Sequence, residues 1–428
     1  MKTRSMKHAY HKTRARLVTV SIATFAAAAL TLASCSSNNA PEPGASDADG
    51  SGGTVKIGMI NTFDQGAQSE SADDHWDGAE LGLKYVEEHG GLYNGAKIEI
   101  VKGVENGQPA LVATTVRKML TDDIKLIMGP ALSADCLAAA PLIDQAGAVS
   151  LIGCTTTSIT GKDRVGKNLY RFDTNDRLTS TALALQVIKE IPEIDIVDVV
   201  AYDYVQGHEG WETFKKVMGE NGITFKTDNE FFVPATTTNY AAQVGALAQT
   251  PKDGKKRALV LLTWGSGYLN FIQQAMPLKV LDNYEAILTT SMYYKSAIAL
   301  DGAAPRVYNS YGTCNANMWE NDIMDWLKKE MEAKHNRLPD DWSVMGFNNV
   351  LVMAAAINEA KSTDSAKVNE AMSTLTVDLV QGTQTMNPET HQVERRTPVC
   401  ESIGDPDAPE GVKLLSNSIF TPEETGQK

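Results

Sequence analysis

The sequence predicts an α/β protein of two lobes, each built on a doubly wound parallel sheet, with a hinge of three chain segments between them. Apolar, strand-like runs alternate with amphipathic helical stretches, and this alternation begins twice along the chain. The 375 residues from Thr54 to the C-terminus also exceed the size at which single hydrophobic cores usually stop growing.

Residues 1–34 predict a secretory signal peptide. Met1–Arg16 carries six Lys or Arg residues and no acid, and Leu17–Leu32 is an apolar, alanine-rich run. That run is near the lower limit for a membrane span, so a retained transmembrane helix is the less favoured interpretation.

The residues Leu32-Ala33-Ser34-Cys35 resemble a bacterial lipobox, in which Cys35 becomes the lipidated first residue. The alternative is ordinary signal cleavage with an incidental cysteine. Ser36–Gly53 contains no large apolar residue and predicts a flexible linker, so we assign residues 35–53 to a lipidated N-terminus and tether. The protein is then expected to be exported and anchored to the outer face of the bacterial cell membrane, or to be periplasmic.

The charge balance argues against two classes of partner. Removal of the signal peptide leaves 33 basic and 53 acidic residues, a balance of −20. Nucleic acids and anionic lipids both require a basic surface, so we expect neither as a partner.

The first lobe begins at Thr54. Strands are predicted at 54–60, 96–104, 124–130 and 148–154, and helices at 76–91, 108–123 and 133–147. This order of alternating strands and helices predicts a parallel sheet covered on both faces.

The second lobe repeats the same alternation. Helices are predicted at 179–191, 207–222, 239–250 and 267–278, and strands at 195–204, 225–233, 257–264 and 285–290. Three more helices follow at 321–335, 342–361 and 364–375, before a tail that looks irregular, with short strand candidates. The predicted lobes are 54–175 plus 311–387 and 176–310 plus 388–428.

In open parallel sheets, ligands bind beyond the carboxyl ends of the strands. The predicted site therefore lies at the loops that follow Ile60, Pro130, Cys154, Tyr204, Trp264 and Thr290.

The chain resembles the type 1 periplasmic-binding-fold lipoproteins that bind solutes for branched-chain amino-acid ABC transporters. The resemblance extends from Thr54 nearly to the C-terminus. It is carried by several patterns in one order, among them "DGAELGLKYVEEHGG", "IMGPALSADCLAAAPLIDQAGAVSLIGCTTTSIT", "LYRFDTND" and "MGFNNVLVMAAAINEA".

The resemblance implies two segments that grip the carboxylate and amine of a ligand. Ser133 matches the serine of the first segment, and Gly153-Cys154-Thr155 matches the small-small-threonine triplet of the second. A helix start beyond a strand offers unpaired N–H groups that suit a carboxylate. For Ser133, a simple N-cap role is the alternative.

Other positions depart from the family pattern. Ser71 falls near the position of an aromatic residue, Trp76 fits a packing role or that aromatic role, and Gln206 or His208 replaces an expected tyrosine. Tyr204 lies close by, and Trp264 is a candidate to cover the ligand. Where an acid usually binds the ammonium group, this chain has "SMYY", from which we take Tyr293 as a candidate.

Five cysteines are present, and lipidation of Cys35 would leave four in an oxidising compartment. Cys136 and Cys154 are expected at the same face of the first lobe, which makes Cys314 and Cys400 the complementary pair. The alternative is four buried free thiols. No spacing suggests a metal site, and we expect no metal and no cofactor.

We expect a binding protein rather than an enzyme. Cys154 or Ser133 could serve as a nucleophile, but no histidine stands in a recognisable catalytic context. The predicted function is delivery of a small polar solute, an amino acid or a similar compound, to the permease subunits of an ABC importer by a monomeric protein. A lipid-anchored sensor subunit, or a binder of an amide, an aromatic acid or a polyamine, is the alternative.

Overall fold

The computed structural model describes residues 52–63, 69–251, 253–290, 294–311, 319–408 and 411–427. The predicted signal peptide, the lipidation site Cys35 and nearly all of the linker lie outside these residues. None of the helices described is both long and apolar enough to span a membrane.

The chain forms strands and helices in an alternating order. The strands are β1 (Thr54–Asn61), β2 (Lys97–Val104), β3 (Leu126–Met128), β4 (Val149–Leu151), β5 (Leu169–Tyr170), β6 (Ile196–Tyr202), β7 (Glu230–Val233), β8 (Arg257–Leu262), β9 (Ala286–Thr289), β10 (Val307–Asn309), β11 (Thr376–Leu379), β12 (Gly382–Thr385), β13 (Thr397–Gly404) and β14 (Val412–Phe420). The helices are α1 (Ser69–Glu88), α2 (Pro109–Thr121), α3 (Ser133–Gln145), α4 (Asp176–Glu190), α5 (Val205–Glu220), α6 (Ala241–Leu247), α7 (Ser266–Ala275), α8 (Tyr294–Ile298), α9 (Asp322–His335), α10 (Asp341–Ala360) and α11 (Ser365–Met372).

The first lobe is built on a five-stranded parallel sheet in the order β2-β1-β3-β4-β5. One face packs against α1 and the late helices α9, α10 and α11, and the other face packs against α2 and α3. The sheet is therefore doubly wound, as the sequence predicts.

The second lobe is built on a seven-stranded sheet in the order β14-β13-β10-β9-β8-β6-β7. Strand β8 is buried on both faces: Leu259 and Leu261 point to the core under α7, and Val260 and Leu262 point to the core under α4 and α5. Two-sided burial explains why its sequence is a continuous apolar run.

The C-terminal tail corrects the sequence analysis. Instead of an irregular segment, residues 397–404 and 412–420 form β13 and β14, and β13 runs antiparallel to both β10 and β14. Neighbouring antiparallel strands need only a short loop, so no helix separates them to mark them in the sequence.

Helix α1 starts at Ser69, earlier than the predicted start at Trp76. Acidic residues of the kind that fill this segment are favourable in the first turns of a helix, so its polar composition does not exclude helical structure. Ser71 therefore lies buried in the first turn of a helix and not in a loop.

Helices α1 and α10 cross at two glycines. A Cβ atom on Gly78 would lie 1.8 Å from the carbonyl oxygen of Ser343, and one on Gly346 would lie 1.9 Å from that of His75. The two backbones therefore touch, and this contact sets the position of Trp342 at the start of α10.

The chain passes between the two sheets three times: between β5 and α4, between β10 and α9, and between His391 and β13. The exact residues of the lobe boundaries given above stay predictions.

The crossing of the two helices can be tested by one substitution. Gly78→Ala should lower the free energy of unfolding by more than about 2 kcal/mol, because the added methyl group overlaps the backbone of α10. The measurement is urea unfolding followed by circular dichroism.

Gly219→Ala is the matched control, since a Cβ atom at this helical position in α5 meets no atom within 4 Å. This variant should be neutral or stabilised by up to about 1 kcal/mol. Equal effects of the two substitutions would contradict the close crossing.

Candidate functional site

A cavity of about 500 Å³, including its open end, lies where the carboxyl ends of the two sheets meet. Loops after β3, β4, β6, β8, β9 and β10 contribute to its wall, together with the first turns of α4 and α10. Its lining residues are Ala131, Leu132, Ser133, Gly153, Thr155, Asp176, Thr179, Tyr204, Gln206, Trp264, Thr290, Tyr311 and Trp342.

Five of the candidate residues chosen from the sequence lie on the cavity wall: Ser133, Thr155, Tyr204, Gln206 and Trp264. The first two come from the first lobe, and the other three come from the second. The topological rule for parallel sheets is sufficient to bring them together.

Two other candidates, Cys154 and Ser71, are not brought to the cavity. The Cys154 side chain is buried and bonded to Cys136, although its neighbours Gly153 and Thr155 both line the wall. Ser71 is buried in α1, outside the lining. Tyr293 lies outside the described residues.

Trp76 takes the packing role. It packs against the first-lobe core, and its ring meets the ring of Phe63 edge-on. The ammonium group of Lys102 lies 3.9 Å from the centroid of the Trp76 ring.

The disulfide between Cys136 and Cys154 joins the first turn of α3 to the end of β4, with Cα atoms 6.5 Å apart. It thereby links the segments that carry Ser133 and Thr155. Leu132, not Ser133, is the N-cap residue of α3, so the capping role considered for Ser133 is not the one it has. Cys400 is also disulfide-bonded, but Cys314 lies outside the described residues and its pairing stays a prediction.

A buried carboxyl pair supports the loop before α3. Glu105 accepts hydrogen bonds from the backbone N–H groups of Ala131 (2.6 Å) and Leu132 (3.3 Å), and Asp135 accepts one from Gly107 (2.8 Å). Burial raises the pKa of both carboxyls, that of Glu105 well above its usual value, and the two interact directly. A proton shared between them keeps the pair from holding two charges in the core.

The guanidinium of Arg171 organises the segment after β4. Its Nε donates to the carbonyl of Cys154 (3.0 Å), its Nη2 to that of Thr156 (2.7 Å), and its Nη1 to Thr160 Oγ1 (2.6 Å) and Gln392 Oε1 (3.1 Å). Burial lowers the pKa of Arg171 to about 10, so the group remains charged at neutral pH. Thr155 is therefore presented by a segment with fixed carbonyls on either side.

Asp176 is the acid that the sequence analysis missed. It is the first residue of α4, it lines the cavity, and only 2% of its surface is exposed. Burial raises the pKa of its carboxyl well above the usual value; a hydrogen bond with Thr155 opposes this effect and the Glu209 carboxylate adds to it. Its Oδ2 atom receives no hydrogen bond from any donor in the described part of the chain.

Six further lining residues were not among the candidates: Ala131, Leu132, Thr179, Thr290, Tyr311 and Trp342. Thr290 ends a strand that we had assigned to the site, so its position was available from the sequence. Trp342 belongs to α10, which packs on the first lobe. Its position at the cavity depends on the close crossing of α1 and α10.

Two polar contacts connect the lobes beside the cavity. The backbone N–H of Ala134 in α3 donates to the Tyr204 hydroxyl (2.7 Å). The Glu209 carboxylate in α5 accepts hydrogen bonds from Thr156 Oγ1 (3.0 Å) and from the N–H of Thr157 (2.8 Å). Through these hydrogen bonds, the N-terminal end of α5 contacts the first lobe.

The two histidines nearest the predicted cleft loops offer no base at the cavity. His75 is buried between Asn61 and Asn349, and burial lowers its pKa to about 3. His208 bonds to Asp203 at the surface (2.8 Å). Within the described ranges, no three His, Cys, Asp or Glu side chains are grouped so as to hold a metal ion.

The comparisons with known proteins agree with this architecture. A family model described as "Periplasmic binding protein" matches residues 54–405, and the chain belongs to that family. The family resemblance and the two-lobed α/β fold predicted from the sequence are confirmed. A search of curated protein sequences returned no match.

Three solved structures show the same fold. A branched-chain amino acid ABC-type transporter protein from Rhodopseudomonas palustris is 21% identical, with a TM-score of 0.67 over 86% of this chain and 97% of its own. A leucine binding protein from Thermotoga maritima is 17% identical, with a TM-score of 0.71 over 86% and 99%. A solute binding protein from Rhodopseudomonas palustris in complex with benzoate is 16% identical, with a TM-score of 0.73 over 86% and 97%.

The contact between Tyr204 and α3 leads to a test of closure. Tyr204→Phe removes one hydrogen bond between the lobes, which should shift the equilibrium about fivefold towards the open form. The expected result is a larger radius of gyration in X-ray scattering of the ligand-free protein.

Tyr268→Phe is the control, because the hydroxyl of this buried second-lobe tyrosine has no hydrogen-bond partner among the described residues and does not line the cavity. It should leave the radius of gyration unchanged. Identical scattering from all three proteins would show that the Tyr204 contact does not hold the lobes together.

Proposed function

We propose that the protein binds a small solute carrying both an ammonium and a carboxylate group, an amino acid or a close analogue, and delivers it to an ABC importer. The observation that carries this proposal is the buried Asp176 carboxyl on the cavity wall, with one oxygen that accepts no hydrogen bond. A buried carboxyl of this kind gains most from a cationic partner. The ligand ammonium supplies that partner, next to the Thr155 hydroxyl.

The carboxylate end of the ligand fits the first turn of α3. The N–H groups of Leu132 and Ala134 are already bonded to Glu105 and Tyr204, so the carboxylate would use the positive field of the helix start and the Ser133 hydroxyl, a neutral donor on the same wall. Neutral donors bind through hydrogen bonds that can be exchanged for water, which suits a ligand that must be released again.

An aromatic acid without an amine is the second candidate. Its support is the aromatic part of the lining, formed by Tyr204, Trp264, Tyr311 and Trp342, together with the benzoate held by one structural neighbour. The Asp176 carboxyl favours the amino acid, because an ammonium group gains from an ionised carboxyl there, whereas an aromatic acid brings it no cation. We therefore favour an amino acid with an apolar or aromatic body.

The cellular setting belongs to the same proposal. We infer export by the N-terminal signal, a lipid anchor at Cys35, monomeric action and a membrane permease as partner. Closure around the ligand would shift the hinge equilibrium by the difference in ligand affinity between the two forms. A sensor subunit would use the same cleft, and only its downstream partner would differ.

Thermal-shift screening of the purified mature protein tests the ligand class. The panel contains amino acids, amides, benzoates and polyamines, and we expect amino acids to raise the melting temperature most. A rise with benzoates alone would select the aromatic-acid candidate, and no rise with any compound would remove the support for a transport function.

Thr155→Val should weaken binding of the best ligand about 10- to 100-fold in calorimetry, because it removes a hydroxyl from the wall at nearly constant volume. Thr114→Val is the control on the exposed face of α2, and it should leave the affinity unchanged. Unchanged affinity in the Thr155 variant would mean that the segment after β4 does not grip the ligand.

Binding should release a proton. In the free protein the raised pKa of Asp176 keeps a proton on its carboxyl, and a ligand ammonium lowers that pKa. Affinity should therefore increase as pH rises from the pKa of the bound form to that of the free form, with up to about one proton released per ligand.

Calorimetry in buffers of different ionisation enthalpy measures this proton release. Asp176→Asn should abolish the release and weaken ligands that carry an ammonium group. A release that persists in this variant would assign the proton to another group.

A further inference from the structure

Gln206 contributes a second incompletely bonded acceptor to the cavity wall. It is the second residue of α5, it lines the cavity, and 6% of its surface is exposed. Its Nε2 donates to Thr290 Oγ1 (3.1 Å), which fixes the plane of the amide. Its Oε1 is buried and has no hydrogen-bond partner within the described chain.

An amide oxygen withdrawn from water without a partner is unfavourable, and a protein usually satisfies such an atom or leaves it to a ligand. Among the lining residues, Gln206 is held from the second lobe by Thr290, whereas Asp176 interacts with Thr155 of the first lobe. The two acceptors therefore have different anchors: Asp176 starts α4 beside Thr155, and Gln206 lies in the first turn of α5 beside Thr290. The ligand ammonium can satisfy Asp176, and a second N–H group on the ligand can satisfy Gln206.

The charge of the second group follows from its surroundings. Gln206 is neutral, and the one acidic residue among the described lining residues, Asp176, is matched with the ligand ammonium in the proposed function. A cationic side chain buried there would lack a counter-ion, whereas a neutral N–H group would lose nothing by leaving water for the amide oxygen.

We propose that Gln206 selects amino acids whose side chain ends in a neutral N–H donor, a carboxamide or an indole. This inference rests on the proposed amino-acid function and specifies the part of the ligand that lies beyond the α-carbon. The aromatic residues of the second lobe pack against the body of that side chain, and Gln206 Oε1 accepts its N–H.

Matched ligand pairs test the inference in the wild-type protein. Glutamine is compared with methionine, and tryptophan with its benzothiophene analogue, in which sulfur replaces the N–H. At least one donor-bearing member should bind about 10- to 100-fold tighter than its partner, because the partner leaves Oε1 unsatisfied. A ratio in the glutamine–methionine pair would indicate a carboxamide ligand, and a ratio in the tryptophan pair would indicate an indole ligand.

Substitutions at Gln206 test whether this residue causes the affinity ratio between the two members of a ligand pair. Gln206→Met removes the acceptor and should bring the ratio close to one, while Gln206→Glu retains acceptor oxygens and should preserve it. Gln186→Met is the matched control: Gln186 is a buried glutamine whose Oε1 also lacks a partner in the described chain, but it does not line the cavity. This variant should keep the wild-type ratio.

The outcomes separate the two proposals. If amino acids bind the wild-type protein but neither pair shows a preference, or if Gln206→Met keeps the preference, the inference is overturned and the proposed function stands. If no amino acid binds the wild-type protein, the proposed function fails and the inference fails with it.

Discussion

The buried guanidinium of Arg171 is the interaction on which the rest of the site depends. No described salt bridge neutralises it, and its donors go instead to the carbonyls of Cys154 and Thr156, the Thr160 hydroxyl and the Gln392 amide. The carboxyl groups of Asp176, Glu209 and Asp173 act on it at longer range, while the hydrogen bonds fix its position and give the segment after β4 one favourable path. Because Gln392 lies in the last passage between the lobes, the same group ties the segment that carries Thr155 to the hinge.

Burial also gives the cavity its chemical character. It raises the pKa of Asp176 well above the usual value, so ionisation of this carboxyl is disfavoured unless a cation lies beside it. Gln206 keeps an amide oxygen without a donor among the described residues. The wall therefore presents two acceptors that the described part of the fold does not satisfy, and a ligand rich in N–H groups would complete them. Such a site is selective because a ligand without an N–H donor leaves a buried acceptor oxygen unsatisfied and therefore binds more weakly.

Much of this architecture follows from the sequence, because strand ends in parallel sheets meet at one edge. That rule predicted the loops, and the family resemblance singled out Ser133, Thr155, Tyr204, Gln206 and Trp264, which line the cavity. The rule could not find Asp176, which starts a helix at a passage between the lobes and follows no strand of the predicted site. Nor could it find Trp342, whose position depends on two helix backbones in contact at glycines far apart in the chain. The C-terminal strands were predicted only as short candidates in an irregular tail, because the pairing of β13 with β10 is a long-range contact that local periodicity does not record.

The disulfide between Cys136 and Cys154 has a consequence for when the protein can act. It joins the start of α3 covalently to the segment after β4, so the first-lobe part of the wall that carries Ser133 and Thr155 is linked by oxidation before any ligand arrives. Thiols stay reduced in the bacterial cytoplasm and pair after export. A chain still inside the cell would carry these two segments without their covalent link. Maturation of the binding site and arrival in the right compartment would then be the same event.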